Sequence, residues 1–224
     1  MKARAAGDRF GLLLVVLVVV YVISAFVSGS WVKTVQIVLF LAASMLAVRT
    51  ARVRGQIAFL ALAATVLSSA VSLFLVVTFP AGPGAGVGFV LMALVLAAAA
   101  VLVLYRVLGL HPEVTLQSIW GAISVYMIIG MMFSALYAAI SQFGGGAFFA
   151  DGQPANLKTF QYFSFTTLTT LGYGDFTAAG SGGRAVAVME ALFGQVFLAT
   201  LVARLVAAYR DPRRSRDDES GGRE

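Results

Sequence analysis

Six long apolar stretches, separated by short polar breaks, run along this 224-residue chain. The first extends from about Phe10 to Ser28, the second from Trp31 to Val48 and the third from Ile57 to Phe79. The fourth covers Val87 to Leu108, the fifth Leu116 to Ile140 and the sixth Ala185 to Tyr209. Several approach or exceed the ~20 residues that carry a helix through the hydrocarbon of a bilayer. The pattern predicts an all-α integral membrane protein with six transmembrane helices, and the shortness of the first four breaks predicts antiparallel neighbours. GPGAGVG, residues 82 to 88, falls at one break. It lacks the Lys-Ser/Thr of a phosphate loop and follows a span instead of a strand, so it reads as the turn between spans three and four.

The pattern changes between spans five and six. Ser141 to Asn156 is glycine-rich and reads as external, and Leu157 to Thr170 is then too short and too polar to cross. With spans on both sides, this segment enters and leaves by the same outer face. That describes a re-entrant loop, and irregular backbone survives at membrane depth only where protein or water surrounds it.

The loop ends in TTLTTLGYGD, residues 166 to 175, whose only charged residue is the last, Asp175. Stripping a cation of water requires several successive carbonyl oxygens to face one axis in place of its hydration shell. Extended backbone alternates its carbonyl directions, so every second residue must adopt a conformation costly for a residue with a Cβ. Glycine reaches such conformations freely. Gly172 and Gly174, alternating with Leu171 and Tyr173, meet that demand, and Thr170 adds a hydroxyl oxygen at the inner end.

On these residues the chain resembles the potassium-channel pore family. The family's T-x-G-Y-G-D signature stands here as Thr170, Leu171, Gly172, Tyr173, Gly174 and Asp175, and FSFTTLT upstream is similar to the family's pore helix. The resemblance covers about Leu116 to Tyr209, as outer helix, pore helix, selectivity filter and inner helix. It implies K⁺ held at the carbonyls of Thr170, Leu171, Gly172 and Tyr173, with Gly174 completing the filter. It also implies a homotetramer, since one chain supplies one filter strand. The pore helix is expected to end near Thr169, aiming its partial negative charge at the pore centre. Tyr162 lies where the family uses aromatics to hold the filter's outer end, and either a bond to Asp175 or plain packing would account for it. Thr166 fills the place of the family's acidic partner for that aspartate. Gly194, in EALFGQVF, falls at the family's inner-helix hinge, with close helix packing as the competing account. Glu190, one turn earlier, is costly at membrane depth unless paired or wet. It is read as filter support bonded to polar pore-helix groups, or else as an acid sitting neutral within protein. Gln195 is read as cavity-lining and Arg204 as snorkelling.

Composition agrees with a bilayer: 60% of residues are hydrophobic and 12% charged. The formal net charge of +6 does not point to nucleic acid, because the basic residues gather at the ends of apolar runs. Lys2, Arg4 and Arg9 precede span one; Arg49, Arg52 and Arg54 follow span two; Arg106 closes span four; Arg204, Arg210, Arg213, Arg214, Arg216 and Arg223 close the chain. Only Lys33, Lys158 and Arg184 fall on the other side, so both termini are expected in the cytoplasm of a multi-pass cell-membrane protein. A basic start before an apolar run also resembles a signal peptide, but the run is long for one and lacks an A-x-A end. With no cysteine there is neither disulfide nor thiolate metal site, and His111 beside Pro112 reads as an interfacial loop residue. The domain reading is residues 1–110 as a four-helix membrane domain, 111–210 as the pore domain and 211–224 as a disordered charged tail. The Ala-, Gly- and Arg-rich composition points to a prokaryotic inner membrane.

Six spans and a pore loop invite a voltage-gated reading, which the fourth span opposes. VGFVLMALVLAAAAVLVLY has no arginine or lysine, and Arg106 lies only at its end. Each charge moved through the field yields ~2.3 kcal/mol per 100 mV, so without a charge ladder steep voltage gating has no lever. Other classes fare worse. Gly-x-Gly-Asp also occurs in intramembrane aspartyl proteases, but Asp8, Asp151, Asp211, Asp217 and Asp218 all lie outside the spans, so no second carboxylate is available. A subunit of a potassium-uptake transporter would carry four pore loops in one chain, usually with one filter glycine. A non-selective cation channel would differ around Tyr173. The expectation is therefore passive K⁺ conduction without enzyme chemistry, with K⁺ as permeant ion and no cofactor. The expected partners are a lipid bilayer and a homotetramer, with a regulatory subunit left open.

Overall fold

The computed structural model describes residues 10–26, 56–79, 81–109 and 115–208, together with Val38, Ala42, Met45 and Leu46. Apart from those four helical positions, predicted span two lies outside the described residues. So do Met1 to Arg9, His111 and the tail expected at 211–224. Among the described residues there are six helices: α1 (Phe10–Phe26), α2 (Gln56–Thr78), α3 (Pro83–Gly109), α4 (Leu116–Phe143), α5 (Leu157–Leu168) and α6 (Ser181–Ala208). Three of these are long and apolar enough to cross a membrane, over Pro83–Leu108, Leu116–Phe143 and Ser181–Val206. Phe10–Phe26 and Ala63–Thr78 are shorter apolar helices.

The helix ends follow local chemistry. Pro83 opens α3 at the first helical position, where its missing N–H is no loss. The break therefore ends at Gly82, which stands at φ 85°, and most of GPGAGVG is helix instead of the expected turn. Its glycines serve packing. A Cβ on Gly84 would stand 2.8 Å from the Phe79 ring, one on Gly86 2.7 Å from Phe143, and one on Gly88 2.8 Å from Val76. Ser72 Oγ donates to the Gly88 carbonyl at 2.7 Å across the same α2–α3 contact. α4 starts behind Thr115, whose side chain accepts from the Ser118 N–H. α6 starts four residues before the predicted span because Arg184 N donates to the Gly180 carbonyl and Arg184 Nε to the Ala178 carbonyl, satisfying the loop beneath.

α4 is the central post. α3 lies along it, joined by buried Met92, Leu96, Ala99 and Val103 on one side and Val125 and Ile128 on the other. α5 and α6 pack on α4 from another side, and α5 packs on α6. Contacts also cross residue 110, because α1 packs on both α4 and α5. The buried Ser24 hydroxyl is hydrogen-bonded to the Gln161 side chain, and Tyr21 meets Phe165 edge-on at 4.8 Å. The loops flanking α5 are tied together by an isolated antiparallel bridge, Phe149 to Ala178. Beneath that bridge Phe148, Phe149, Phe160, Phe163 and Tyr137 form an aromatic cluster, edge-to-face except for the tilted Phe149–Phe160 pair, that anchors the start of α5.

Candidate functional site

α5 is short because both its ends are specified. Asn156 caps its start, its side chain accepting from the backbone of Lys158 and Thr159, while the Thr159 hydroxyl accepts from the Asn156 N–H at 3.0 Å. At the other end, Thr169 is the C-cap and the helix stops at Leu168. That stop lies halfway along its two neighbours. The Leu168 carbonyl accepts from Tyr126 Oη of α4 at 2.8 Å, and it lies against Gly194 at the midpoint of α6. The helix thus enters at the end where α4 finishes and α6 begins, and terminates inside.

The chain then turns out through the glycine segment. Thr170 N–H bonds the Thr167 carbonyl at 2.9 Å, and the N–H groups of Leu171 and Gly172 both reach the Thr166 carbonyl, at 2.8 and 3.2 Å. Backbone φ is +58° at Thr170, +52° at Gly172 and +80° at Gly174, whereas Leu171 and Tyr173 stay at negative φ. The alternation inferred from the glycine spacing is therefore present in the backbone, and it begins one residue earlier, at a threonine. A left-handed conformation costs a residue with a Cβ about 1–2 kcal/mol, so Thr170 carries local strain of the kind that gathers at functional sites. Among the described residues, no hydrogen-bond donor reaches the carbonyls from Thr170 to Gly174.

The outer end is pinned. Tyr162 Oη donates to Asp175 Oδ2 at 2.8 Å, and Gln153 Nε2 donates to the Asp175 carbonyl at 2.7 Å. The bond to Asp175 holds the Tyr162 phenol above its ordinary range. Of the two accounts of Tyr162, the hydrogen bond is present, with edge-on packing against Phe176 beside it. Thr166 does not reach Asp175; its hydroxyl donates to the Phe163 carbonyl at 3.0 Å and its own carbonyl holds the start of the glycine segment. Thr169 Oγ1 bonds the Phe165 carbonyl at 2.7 Å and so seals the end of α5.

Behind the segment, Glu190 is fully buried. Its Oε1 lies 2.5 Å from Ser164 Oγ of α5 and its Oε2 2.5 Å from Tyr137 Oη of α4. Of the two accounts of Glu190, contact with a polar group of the short helix is the one the geometry displays. Gly194 has a packing role on view, because a Cβ there would come 2.1 Å from the Leu168 carbonyl oxygen, and α6 runs through it as unbroken helix. Tyr126, Tyr137, Ser164 and Gln153 were not singled out from the chain. The legible signal for the first three was a hydroxyl inside an apolar run, a group that must find a partner when buried.

Residues 137–211, which span the end of α4, α5, the glycine segment and α6, match the family model described as Ion channel. Relatives agree. Protein LctB of Bacillus caldotenax is 32% identical over 107 residues, 45% of this chain and 78% of that one. The chain belongs to the ion-channel family, with a pore of the potassium-channel type. Protein LctB of Geobacillus stearothermophilus is a second relative of this ion-channel chain, 31% identical over 100 residues, 42% of this chain and 74% of that one. No solved structure gives a significant match. Family and long apolar helices together make this channel a membrane protein.

Tyr162→Phe removes the donor to Asp175 and leaves the ring in place. Current decay during sustained opening is expected to accelerate on the order of twofold to tenfold, the range one net hydrogen bond carries. Unchanged decay in planar-bilayer recordings would mean that Tyr162 holds the outer end by packing alone.

Proposed function

We propose that the chain is one subunit of a homotetrameric, potassium-selective channel, and that ions pass through an axial filter built from the carbonyls of Thr170, Leu171, Gly172 and Tyr173. One observation carries this reading: the alternating positive φ at 170, 172 and 174, in a segment whose carbonyls have no donor among the described residues. Alternation of that kind turns successive carbonyls towards one side. A row of such oxygens replaces the hydration shell of a cation, and size and field strength then favour K⁺. The C-terminal end of α5, with its partial negative charge, adds to the attraction at the inner end. Four copies are needed because one strand surrounds nothing. The apolar, exposed flank of α6, including Val188, Leu192, Val196 and Val202, supports burial against further copies.

In this reading α4, α5 and α6 are the outer, pore and inner helices, α5 with its filter is the re-entrant loop between spans five and six, and both termini face the cytoplasm. The bacterial relatives favour a prokaryotic inner membrane. Conduction is passive, so no cofactor or turnover chemistry is required. Voltage dependence is weak, because α3 holds no basic residue before Arg106. The test is flux of K⁺, Rb⁺, Na⁺ and Li⁺ into liposomes carrying purified protein, with Gly172→Asp as control. K⁺ and Rb⁺ entry well above Na⁺ and Li⁺, lost in the variant, is expected. Equal entry of all four would overturn the selectivity.

A further inference from the structure

The contacts around Glu190 can be counted in protons. Tyr137 Oη has one proton and lies 2.5 Å from Glu190 Oε2, an oxygen that accepts it. Ser164 Oγ also has one, yet it lies within hydrogen-bond distance of two oxygens: Glu190 Oε1 at 2.5 Å and the Gly130 carbonyl at 2.7 Å. A carbonyl can only accept. With Glu190 as a carboxylate, both neighbours of Ser164 are pure acceptors, and one proton serves only one of them. The other contact then sets lone pairs face to face in a fully buried site, where an unmade hydrogen bond is expensive. A proton on Glu190 closes the count. Oε1–H donates to Ser164, Ser164 donates to the Gly130 carbonyl, and Tyr137 donates to Oε2.

The surrounding charges agree. Among the described residues, the elements packed against α6 around Glu190 are α4 and α5. The polar and titratable groups they turn towards Glu190 are Tyr137 and, further off, Tyr126 from α4, and Ser164 from α5; among the described residues no lysine or arginine faces it. A carboxylate enclosed there would be a charge with no counter-ion, which proteins avoid by neutralising the group.

We infer that Glu190 is a neutral carboxylic acid that donates to Ser164 and ties the inner helix to the pore helix, acting as a positioning residue for the filter and not as an anion that draws cations in. Its bearing on the filter rests on the conduction reading above; its protonation does not.

The test is an infrared difference spectrum of full-length protein in lipid at neutral pH, wild type minus E190Q, with Rb⁺ flux measured on the same preparations. The amide reproduces both contacts, its NH₂ donating to Ser164 and its oxygen accepting from Tyr137. A protonated-carboxyl C=O stretch lost in E190Q is expected, with flux within about twofold of wild type because the contacts to Ser164 and Tyr137 are both kept. Carboxylate stretches in place of that band would overturn the inference. So would a flux loss of about tenfold or more, or failure of E190Q to fold, since a neutral isostere must fit the site. Wild type that carries no K⁺ would defeat the conduction reading, and the infrared band would still decide the proton.

Discussion

Gly172→Ala is expected to lower Rb⁺ flux at least about 100-fold, the equivalent of about 2.7 kcal/mol on the barrier. Nothing lies within 4 Å of the Cβ position in this chain, so steric crowding is not the reason. The reason is φ, at +52°. Alanine there costs about 1–2 kcal/mol per copy, or about 4–8 kcal/mol across the four copies of the proposed tetramer. The cheapest relief is to swing φ negative, which turns the neighbouring carbonyls away from the side they share and, in the proposed filter, removes an ion site. Flux of ⁠Leu171→Val, at a residue of negative φ, serves as the comparison and should stay near wild type. Comparable flux in Gly172→Ala and wild type would mean that the alternating backbone is not what conducts.

Gly194→Ala is the second large effect, and two terms of opposite sign decide it. Alanine improves helix propensity by about 1 kcal/mol over glycine. Against this, its Cβ would stand 2.1 Å from the Leu168 carbonyl oxygen and 3.1 Å from the Leu168 carbonyl carbon. Overpacking costs about 1–3 kcal/mol even where flexible side chains yield, and here the obstacle is backbone. That carbonyl is also held by Tyr126 at 2.8 Å, two residues before the strained Thr170. The clash wins, and relief comes by displacing the start of the filter. A lowered melting temperature together with a flux loss of about tenfold or more is expected. Unchanged melting with slowed opening would instead assign the glycine to bending alone.

The contrast between these two glycines shows what a reader of the chain can and cannot recover. The demand at Gly172 is local: alternation with Leu171 and Tyr173 is written in consecutive residues, and the backbone repeats it. The demand at Gly194 comes from a carbonyl 26 positions away in the chain, so the packing side of that glycine has no local signature beside the hinge reading. The same holds for Glu190. Its cost at membrane depth was legible, whereas Ser164 and Tyr137 became its partners only through the crossing of three helices. At GPGAGVG a glycine-rich string read as a turn proved to be helix, because Pro83 suits a first helical position and the glycines admit Phe79, Phe143 and Val76. Glycine marks close approach as readily as it marks a bend, and only the neighbours distinguish the two. The docking of α1 on α5, through Ser24 and Tyr21, had no signature in an apolar run of near-uniform character.

The account stands or falls on selectivity, and the direct measurement is the reversal potential of purified protein in a planar bilayer with K⁺ on one side and Na⁺ on the other. A tenfold preference displaces it by about 59 mV for a monovalent ion. The alternating carbonyls of Thr170 to Tyr173 predict a displacement beyond that value, in the direction of K⁺. A reversal potential near zero would contradict the account: the chain would be an ion channel whose filter backbone does not choose its ion.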